Sequence, residues 1–247
     1  FEETSHTVKG LYTQANFNLD LIAFNAGVRR EYYSGKVNNT HSLSISSEVP
    51  LTELNIHTNF STGFRSPSLY ERFNANSANK ELKAESSTSK EISLVSNYFD
   101  ITTSITFFRS EISNKIGYNN ATNAYYNLTD KTNSNGTEYA ITSKKIGPIN
   151  YVRLGYTKTE SLTGGTQSLK IPNNSLSFST SSTLWNTTLG LTGKFIGKQY
   201  DFDNVEVSAF KVFNLNIDTQ LTDTLHTSLK INNLLNADYE EVNGYQT

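Results

Sequence analysis

Leu54-Asn55-Ile56-His57-Thr58-Asn59-Phe60-Ser61-Thr62-Gly63-Phe64-Arg65 decides how the rest of this chain is read. Leu54, Ile56, Thr58, Phe60, Thr62 and Phe64 fall on one side of an extended backbone. Asn55, His57, Asn59, Ser61 and Arg65 fall on the other. Successive side chains of a strand point to opposite faces, so a period of two is a strand signal. The run is apolar on one face, hydrophilic on the other, and close to the ~9–11 residues with which a tilted strand crosses a bilayer.

The same pattern extends in both directions. Upstream, Leu11, Thr13, Ala15, Phe17 and Leu19 share a face, then Ile22, Phe24, Ala26 and Val28 beyond a corner at Asp20, then Leu43, Ile45 and Val49. Downstream come Ile92 and Leu94 to Tyr98; Ile101, Thr103, Ile105 and Phe107; Thr137, Tyr139 and Ile141; and Val152, Leu154 and Tyr156. Leu176, Phe178, Thr180 and Leu184 follow, then Leu189, Leu191 and Phe195, then Phe213, Leu215, Ile217 and Leu221, and last Leu225, Thr227, Leu229 and Ile231. That predicts about twelve antiparallel strands, many long enough to span a membrane.

The connections sort into two kinds. Short ones are expected at Asp20, Pro50–Glu53, Phe99-Asp100, Lys145–Pro148, Trp185-Asn186 and Thr222–Thr224. Longer, polar ones are expected at Ser34–Asn39, Ser66–Ser89, Asn114–Ala124, Leu162–Asn174 and Asp201–Ala209. Short turns on one rim and long loops on the other characterise outer-membrane barrels. Aromatics near strand ends (Tyr32, Tyr33, Phe64, Tyr98, Phe99, Phe107, Phe108, Trp185, Tyr200, Phe202 and Phe210) suit an interfacial girdle.

Composition narrows the field. A net charge of −2 offers no basic surface for nucleic acid, and the chain has no Cys and only four scattered His, so no metal site is expected. Mean hydropathy is −0.47, and no apolar run approaches a membrane helix. A barrel strand shows lipid only every second residue, so low hydropathy is compatible with spanning. No enzyme signature stands out; Asp201 and Asp203 read as turn residues or solvated charges, and Gly164-Gly165 as loop punctuation. The chain starts at Phe1 without a signal peptide, which suggests a piece of a longer protein. An open sheet of this kind would leave edge groups unpaired in lipid, so further strands are expected to close it.

Two motifs carry a family resemblance. Gly63-Phe64-Arg65-Ser66-Pro67-Ser68-Leu69-Tyr70-Glu71-Arg72-Phe73, followed by Asn76 and by Asn79 to Ser87, resembles the strand-to-loop motif of TonB-dependent receptors. Asn74 to Lys80 departs from the Asn-Pro-Asn-Leu often found there. Lys230-Ile231-Asn232-Asn233-Leu234-Leu235-Asn236-Ala237-Asp238-Tyr239-Glu240 is similar to that superfamily's penultimate-strand motif. Phe1 to Thr4 with Gly10-Leu11-Tyr12, Tyr125-Tyr126-Asn127, Gly197 to Asp201, and Val242 to Thr247 look like the cobalamin outer-membrane transporters.

The resemblance implies an all-β, transmembrane antiparallel barrel of roughly 22 strands, of which residues 1–247 would be the C-terminal part. The plug domain, the TonB box and the last strand would lie elsewhere. It further implies a receptor of the bacterial outer membrane, not an enzyme, importing cobalamin or a related corrinoid with energy from TonB. Calcium would belong to the N-terminal part of such a barrel, with no cofactor in this stretch. Outer-membrane lipid would be a partner and nucleic acid would not.

By the same resemblance Lys170, ahead of Ile171-Pro172, occupies a ligand-contacting slot, and Asn204 stands where an aromatic contact is usual. From the residues themselves, Arg65, Tyr70, Arg72, Tyr118, Tyr125 and Tyr126 are added, because rim aromatics and charges can grip a large polar ligand. The competing readings are a ferric-siderophore or haem receptor, a passive porin or barrel enzyme, and a soluble β-sandwich whose apolar stripes form a buried core.

Overall fold

The computed structural model describes residues 7–33 and 36–246. In chain order the strands are β1 (Val8–Leu19), β2 (Ile22–Tyr33), β3 (Lys36–Glu48), β4 (Leu54–Arg65), β5 (Glu85–Tyr98), β6 (Ile101–Ser113), β7 (Ile116–Asn119), β8 (Ala124–Asn127), β9 (Thr132–Ser143) and β10 (Ile149–Thr163). They continue as β11 (Thr166–Gln167), β12 (Asn174–Leu184), β13 (Thr187–Ile196), β14 (Gln199–Tyr200), β15 (Glu206–Val207), β16 (Phe210–Gln220), β17 (His226–Ile231), β18 (Glu240–Val242) and β19 (Tyr245–Gln246). One short helix, α1 (Leu69–Phe73), follows β4. The long strands form a single antiparallel path, β1-β2-β3-β4-β5-β6-β9-β10-β12-β13-β16-β17, with β11 pairing only to β10.

The register is what makes this a membrane wall. Ile56, Leu94, Ile105, Tyr139, Tyr156, Leu176 and Phe195 lie opposite one another in succession across seven strands. On the other face Ser46, His57, Ser93, Thr106, Glu138, Thr157 and Ser175 form an equally continuous row. A slip of one residue in any pair would swap the faces, so the apolar pattern itself pins the pairing. The apolar face is the open one: along β6, exposed Ile101, Thr103, Ile105 and Phe107 alternate with half-buried Thr102, Ser104, Thr106 and Phe108.

Among the described residues no second layer covers the apolar face. Among the described residues the only buried hydrophobic side chains are Leu82, Val207, Phe210 and Val212, all near the loop rim, while Leu11 is 75 % and Phe17 60 % exposed. Burying one large apolar side chain is worth about 1.5–3 kcal/mol. A face of Leu, Ile and Phe left in water would forgo tens of kcal/mol, which rules out the soluble sandwich. The stripes face hydrocarbon.

Several boundaries differ from expectation. β3 reaches back to Lys36, opposite Tyr33, so Lys36 to Asn39 continue the ladder; Ser34 and Gly35 lie outside the described residues. β5 begins at Glu85 rather than after Ser89, and β10 runs on to Thr163. The Asn114 loop gives way to the hairpin β7–β8, which runs on to Asn127, and Asp201 lies inside the hairpin β14–β15, which starts at Gln199. Near the loop rim both faces of the strands are polar, so the alternation that marks a strand in sequence disappears although the ladder goes on. The girdle is also smaller than read. Phe107 faces outward, but Phe108 faces the polar side, where its ring lies 2.6 Å from where a Cβ on Gly136 would sit. Tyr33 donates its hydroxyl to the Pro67 carbonyl, and Phe210 is buried against Tyr239 with ring centroids 4.5 Å apart.

Candidate functional site

The loop rim holds two clusters that bring most of the expected residues together. The first starts where β4 ends. Pro67 cannot donate to a ladder, and Ser68 then caps α1, its hydroxyl accepting from the Glu71 N–H at 3.2 Å while Glu71 Oε2 accepts from the Ser68 N–H at 2.7 Å. That capping box turns the Glu71 carboxylate toward Arg65, whose Nη1 donates to it at 3.2 Å. Arg65 Nη2 donates to Glu85 Oε1 at 2.8 Å, and the same oxygen accepts from the Ile116 N–H at 2.7 Å. One guanidinium thus ties the end of β4, α1, the start of β5 and the next loop.

Residues 66–84 and 114–131 are joined further by backbone and amide contacts. The Tyr125 N–H donates to the Ser77 carbonyl at 3.1 Å, and Asn79 Nδ2 donates to the Tyr125 carbonyl at 3.0 Å. Asn127 accepts from the Lys83 N–H at 2.8 Å and donates to the carbonyls of Lys83 and Asn114 at 3.0 and 2.7 Å. Leu82 is 1 % exposed beneath this seam. On it the rings of Tyr70 and Tyr125 meet edge-on at 6.3 Å, and those of Tyr125 and Tyr118 at 5.0 Å.

Three of the expected tyrosines therefore form one aromatic patch, with Tyr70 61 % exposed at its edge. Tyr126 pairs with Gly117 on the same hairpin but makes no ring contact with the others among the described residues. Arg72 turns into its own loop, donating to the Lys80 carbonyl at 3.1 Å and lying 5.4 Å from the Phe73 ring centroid.

The second cluster surrounds Lys170, which has a left-handed backbone (φ 60°). Its N–H donates to the Tyr200 carbonyl at 2.7 Å, its ammonium lies 3.4 Å from Asp201 Oδ1, and it sits 4.6 Å from the Phe202 ring centroid. Asp201, expected as a turn residue or solvated charge, is a turn residue but not a solvated charge, being 4 % exposed. It accepts from the Phe202 N–H at 2.8 Å, starting a 3-10 turn over Phe202–Asn204, and from the Asn243 N–H at 3.0 Å. The Phe202 N–H, opposed by desolvation and helped by the Asn243 N–H and the Lys170 charge, holds the Asp201 carboxyl below its ordinary value.

Lys170, Asp201, Phe202, Val205, Glu241 and Tyr245 line an open cavity of about 710 Å³ with Val242 and Asn243. Asn204 closes the 3-10 turn at φ 56° and is not among the lining residues. Asp203 has no described side chain. Sequence reasoning missed Asp201, Glu241 and Tyr245 because they come from segments far apart in the chain. An Asp ahead of Phe-Asp-Asn is a capping signal that could have marked Asp201. Among the described residues no group of three or more His, Asp or Glu is placed to hold a metal.

A one-sheet wall with an exposed apolar face, short turns on one rim and interlocked loops on the other is an outer-membrane β-barrel receptor. Residues 1–234 match the family described as TonB dependent receptor-like, beta-barrel, and the chain belongs to that family of bacterial outer-membrane receptors and transporters. Its opening residues, Phe1 to His6, and Thr247 lie outside the described residues.

Among curated proteins it is similar to the vitamin B12 transporter BtuB of Vibrio cholerae, 23 % identical over 213 residues, covering 83 % of this chain and 34 % of the relative. The chain thus spans about a third of the length of the curated relatives it matches. Among solved structures, the copper transporter OprC superposes with a TM-score of 0.80 at 13 % identity, over 95 % of this chain and 42 % of that one. The ferric-catecholate import receptor Fiu of E. coli K12 gives 0.77 at 14 % identity, over 96 % and 41 %. The Pseudomonas aeruginosa ferripyoverdine receptor gives 0.75 at 20 %, over 96 % and 35 %. These likenesses establish the fold.

Proposed function

We propose that this chain is the later part of the barrel of a receptor that takes up cobalamin or a related corrinoid across the outer membrane. Further strands would close the wall, a plug would fill it, and TonB would supply energy through that plug. The observation that carries the ligand class is the sequence relationship to a vitamin B12 transporter along 83 % of the chain.

The loop-rim geometry supports a large polar ligand. The cavity beside Lys170 mixes the apolar Phe202 and Val205 with the charges of Lys170 and Glu241, as a site for a bulky amide-rich molecule requires. The Tyr70–Tyr125–Tyr118 patch offers flat, amphipathic contact area on a loop pair held in place by Arg65 and Asn127. Tyr126, Arg72 and Asn204 remain candidates at the margins of these clusters. Haem is disfavoured among the alternatives: His57 lies in β4 on the polar face, bonded to Ser46 at 2.8 Å, rather than in a rim loop.

The test is a titration of the full receptor with cyanocobalamin, a ferric catecholate siderophore and haem. Saturable cyanocobalamin binding, weakened about tenfold by Lys170→Ala, is the expected result. Binding of the ferric siderophore alone would replace the corrinoid reading with an iron-chelate one.

A further inference from the structure

The charges around the Lys170 cavity cancel in pairs. Lys170 lies 3.4 Å from Asp201 Oδ1, Lys194 2.5 Å from Glu241 Oε1, and Lys198 3.1 Å from Glu206 Oε2. The Tyr200 hydroxyl donates to that same Glu206 oxygen at 3.3 Å. Glu240 is a further carboxylate of these loops, accepting from the Gly244 N–H at 2.9 Å. Lys170 is the one cation among the residues that line the cavity, whose other members include Phe202, Val205, Val242, Asn243 and Tyr245. A bulky ligand seated there would meet apolar side chains, an amide and an ammonium already matched by a carboxylate.

The three pairs are not equivalent. In Lys194–Glu241 and Lys198–Glu206 both partners are about half exposed, where water and salt screen each charge. In Lys170–Asp201 the carboxylate is 5 % exposed and the lysine 43 %. Asp201 cannot swing away, because the Phe202 and Asn243 N–H groups hold its two oxygens at 2.8 and 3.0 Å. It is therefore a fixed negative charge beneath a lysine that reaches the cavity. The Lys170 ammonium has three N–H donors, so it can still donate to an amide carbonyl while its pull on an anion is cancelled from below.

We infer, resting on the corrinoid reading of this cavity, that Asp201 sets its charge selectivity: by neutralising Lys170 it favours an uncharged, amide-bearing ligand over a carboxylate- or catecholate-bearing one of the same bulk. Asp201 is too covered to be the main contact and acts through the lysine. An unmatched ammonium ~6 Å from a ligand charge, at an effective dielectric of about 40, changes affinity on the order of tenfold. That is enough to separate a neutral corrinoid from an acidic one, and more than enough to separate it from a chelate carrying several negative charges.

The experiment uses the full receptor and two probes of one shape: cyanocobalamin, and its derivative with one side-chain carboxamide hydrolysed to a carboxylate. Both are titrated against the parent, Asp201→Asn, Lys170→Gln and the double variant, at low and at high salt. The readout is the ratio of the two affinities, which a loosened loop that weakens both probes alike does not move. The parent should prefer the neutral corrinoid. Asp201→Asn should shift the ratio toward the carboxylate form on the order of tenfold at low salt and less at high salt. The double variant should return most of the way to the parental ratio. If Asp201→Asn does not fold, Asp201→Ser replaces it, since a hydroxyl still caps the turn. A ratio that stays the same in Asp201→Asn, or that shifts and is not restored in the double variant, would overturn the role of Asp201 and leave the corrinoid reading standing. Failure of the parent to bind either corrinoid would overturn that reading, and the selectivity with it.

Discussion

At one rim the wall reverses direction in two to five residues; at the other it makes long excursions whose loops hold on to each other. The turn rim is built from backbone geometry. Asp20, Phe99 and Trp185 each take a left-handed conformation at a hairpin corner, and Phe99 and Trp185 are 84 % and 99 % exposed. Among the described residues Phe99 meets only the Tyr98 ring, edge-on at 4.5 Å, and Trp185 meets no ring, so the remaining partner of both is the membrane interface. The loop rim is built from side chains: Arg65 with two carboxylates, Asn127 with three backbone groups, and Asp201 with two N–H groups and a lysine. One end is thus held by local conformation and lipid, the other by polar contacts between distant segments, and the two should fail under different insults.

The sharpest way to break that contrast is Arg65→Ala. It leaves Glu71 and Glu85, 14 % and 15 % exposed, without their shared cation. Losing charge-assisted hydrogen bonds at a partly covered site should cost about 2–3 kcal/mol of loop stability. Amide exchange in the full receptor should rise across residues 66–84 and 114–131 together, while the Phe99 and Trp185 turns stay as they were. Faster exchange in only one loop, or in neither, would show that the guanidinium does not join them.

A smaller effect is expected at the opposite rim. Trp185 sits at φ 53°, where a bulky side chain is disfavoured by about 1–2 kcal/mol and glycine is not. Trp185→Gly should therefore keep or slightly raise thermal stability in detergent. In a bilayer it should lose on the order of 1 kcal/mol with the interfacial ring. A loss of the same size in detergent and bilayer would mean that Trp185 packs on protein and not on the interface.

The two rims were also unequally legible in the sequence. The turn rim and the band above it could be read residue by residue, because a face that must meet hydrocarbon forces alternation: Leu54 to Phe64 and Ile101 to Phe107 leave no second register. Lys36 to Asn39 and Glu85 to Ser89 continue their ladders with polar residues on both faces, and so looked like loop. The site was legible in part. Tyr70, Tyr118, Tyr125 and Lys170 do sit in rim clusters, but nothing local told that Asn127 would reach Lys83 or that Asp201 would meet Asn243. Such pairings depend on how two excursions fold over one another, and spacing does not encode them. Phe108 misled for a simpler reason: next to Phe107, it had to point the other way.

The smallest expected effect isolates one polar tie of the loop rim. Asp201 has a depressed pKa in the folded loop, so the open loop takes up a proton more readily than the closed one. The tie is therefore fully present above the ordinary aspartate value of about 3.8 and is lost as pH falls through the lower folded value. The Phe202 and Asn243 amides, corrected for intrinsic exchange, should be protected at pH 7 and progressively less so below pH 4. Asp201→Asn should flatten that profile, since a carboxamide still accepts the N–H bonds but carries no titrating charge. The turn-rim amides, which contact no such group, should show no pH step in either protein. A step at the turn rim, or one that persists in Asp201→Asn, would assign the sensitivity to the barrel as a whole instead of to this carboxylate.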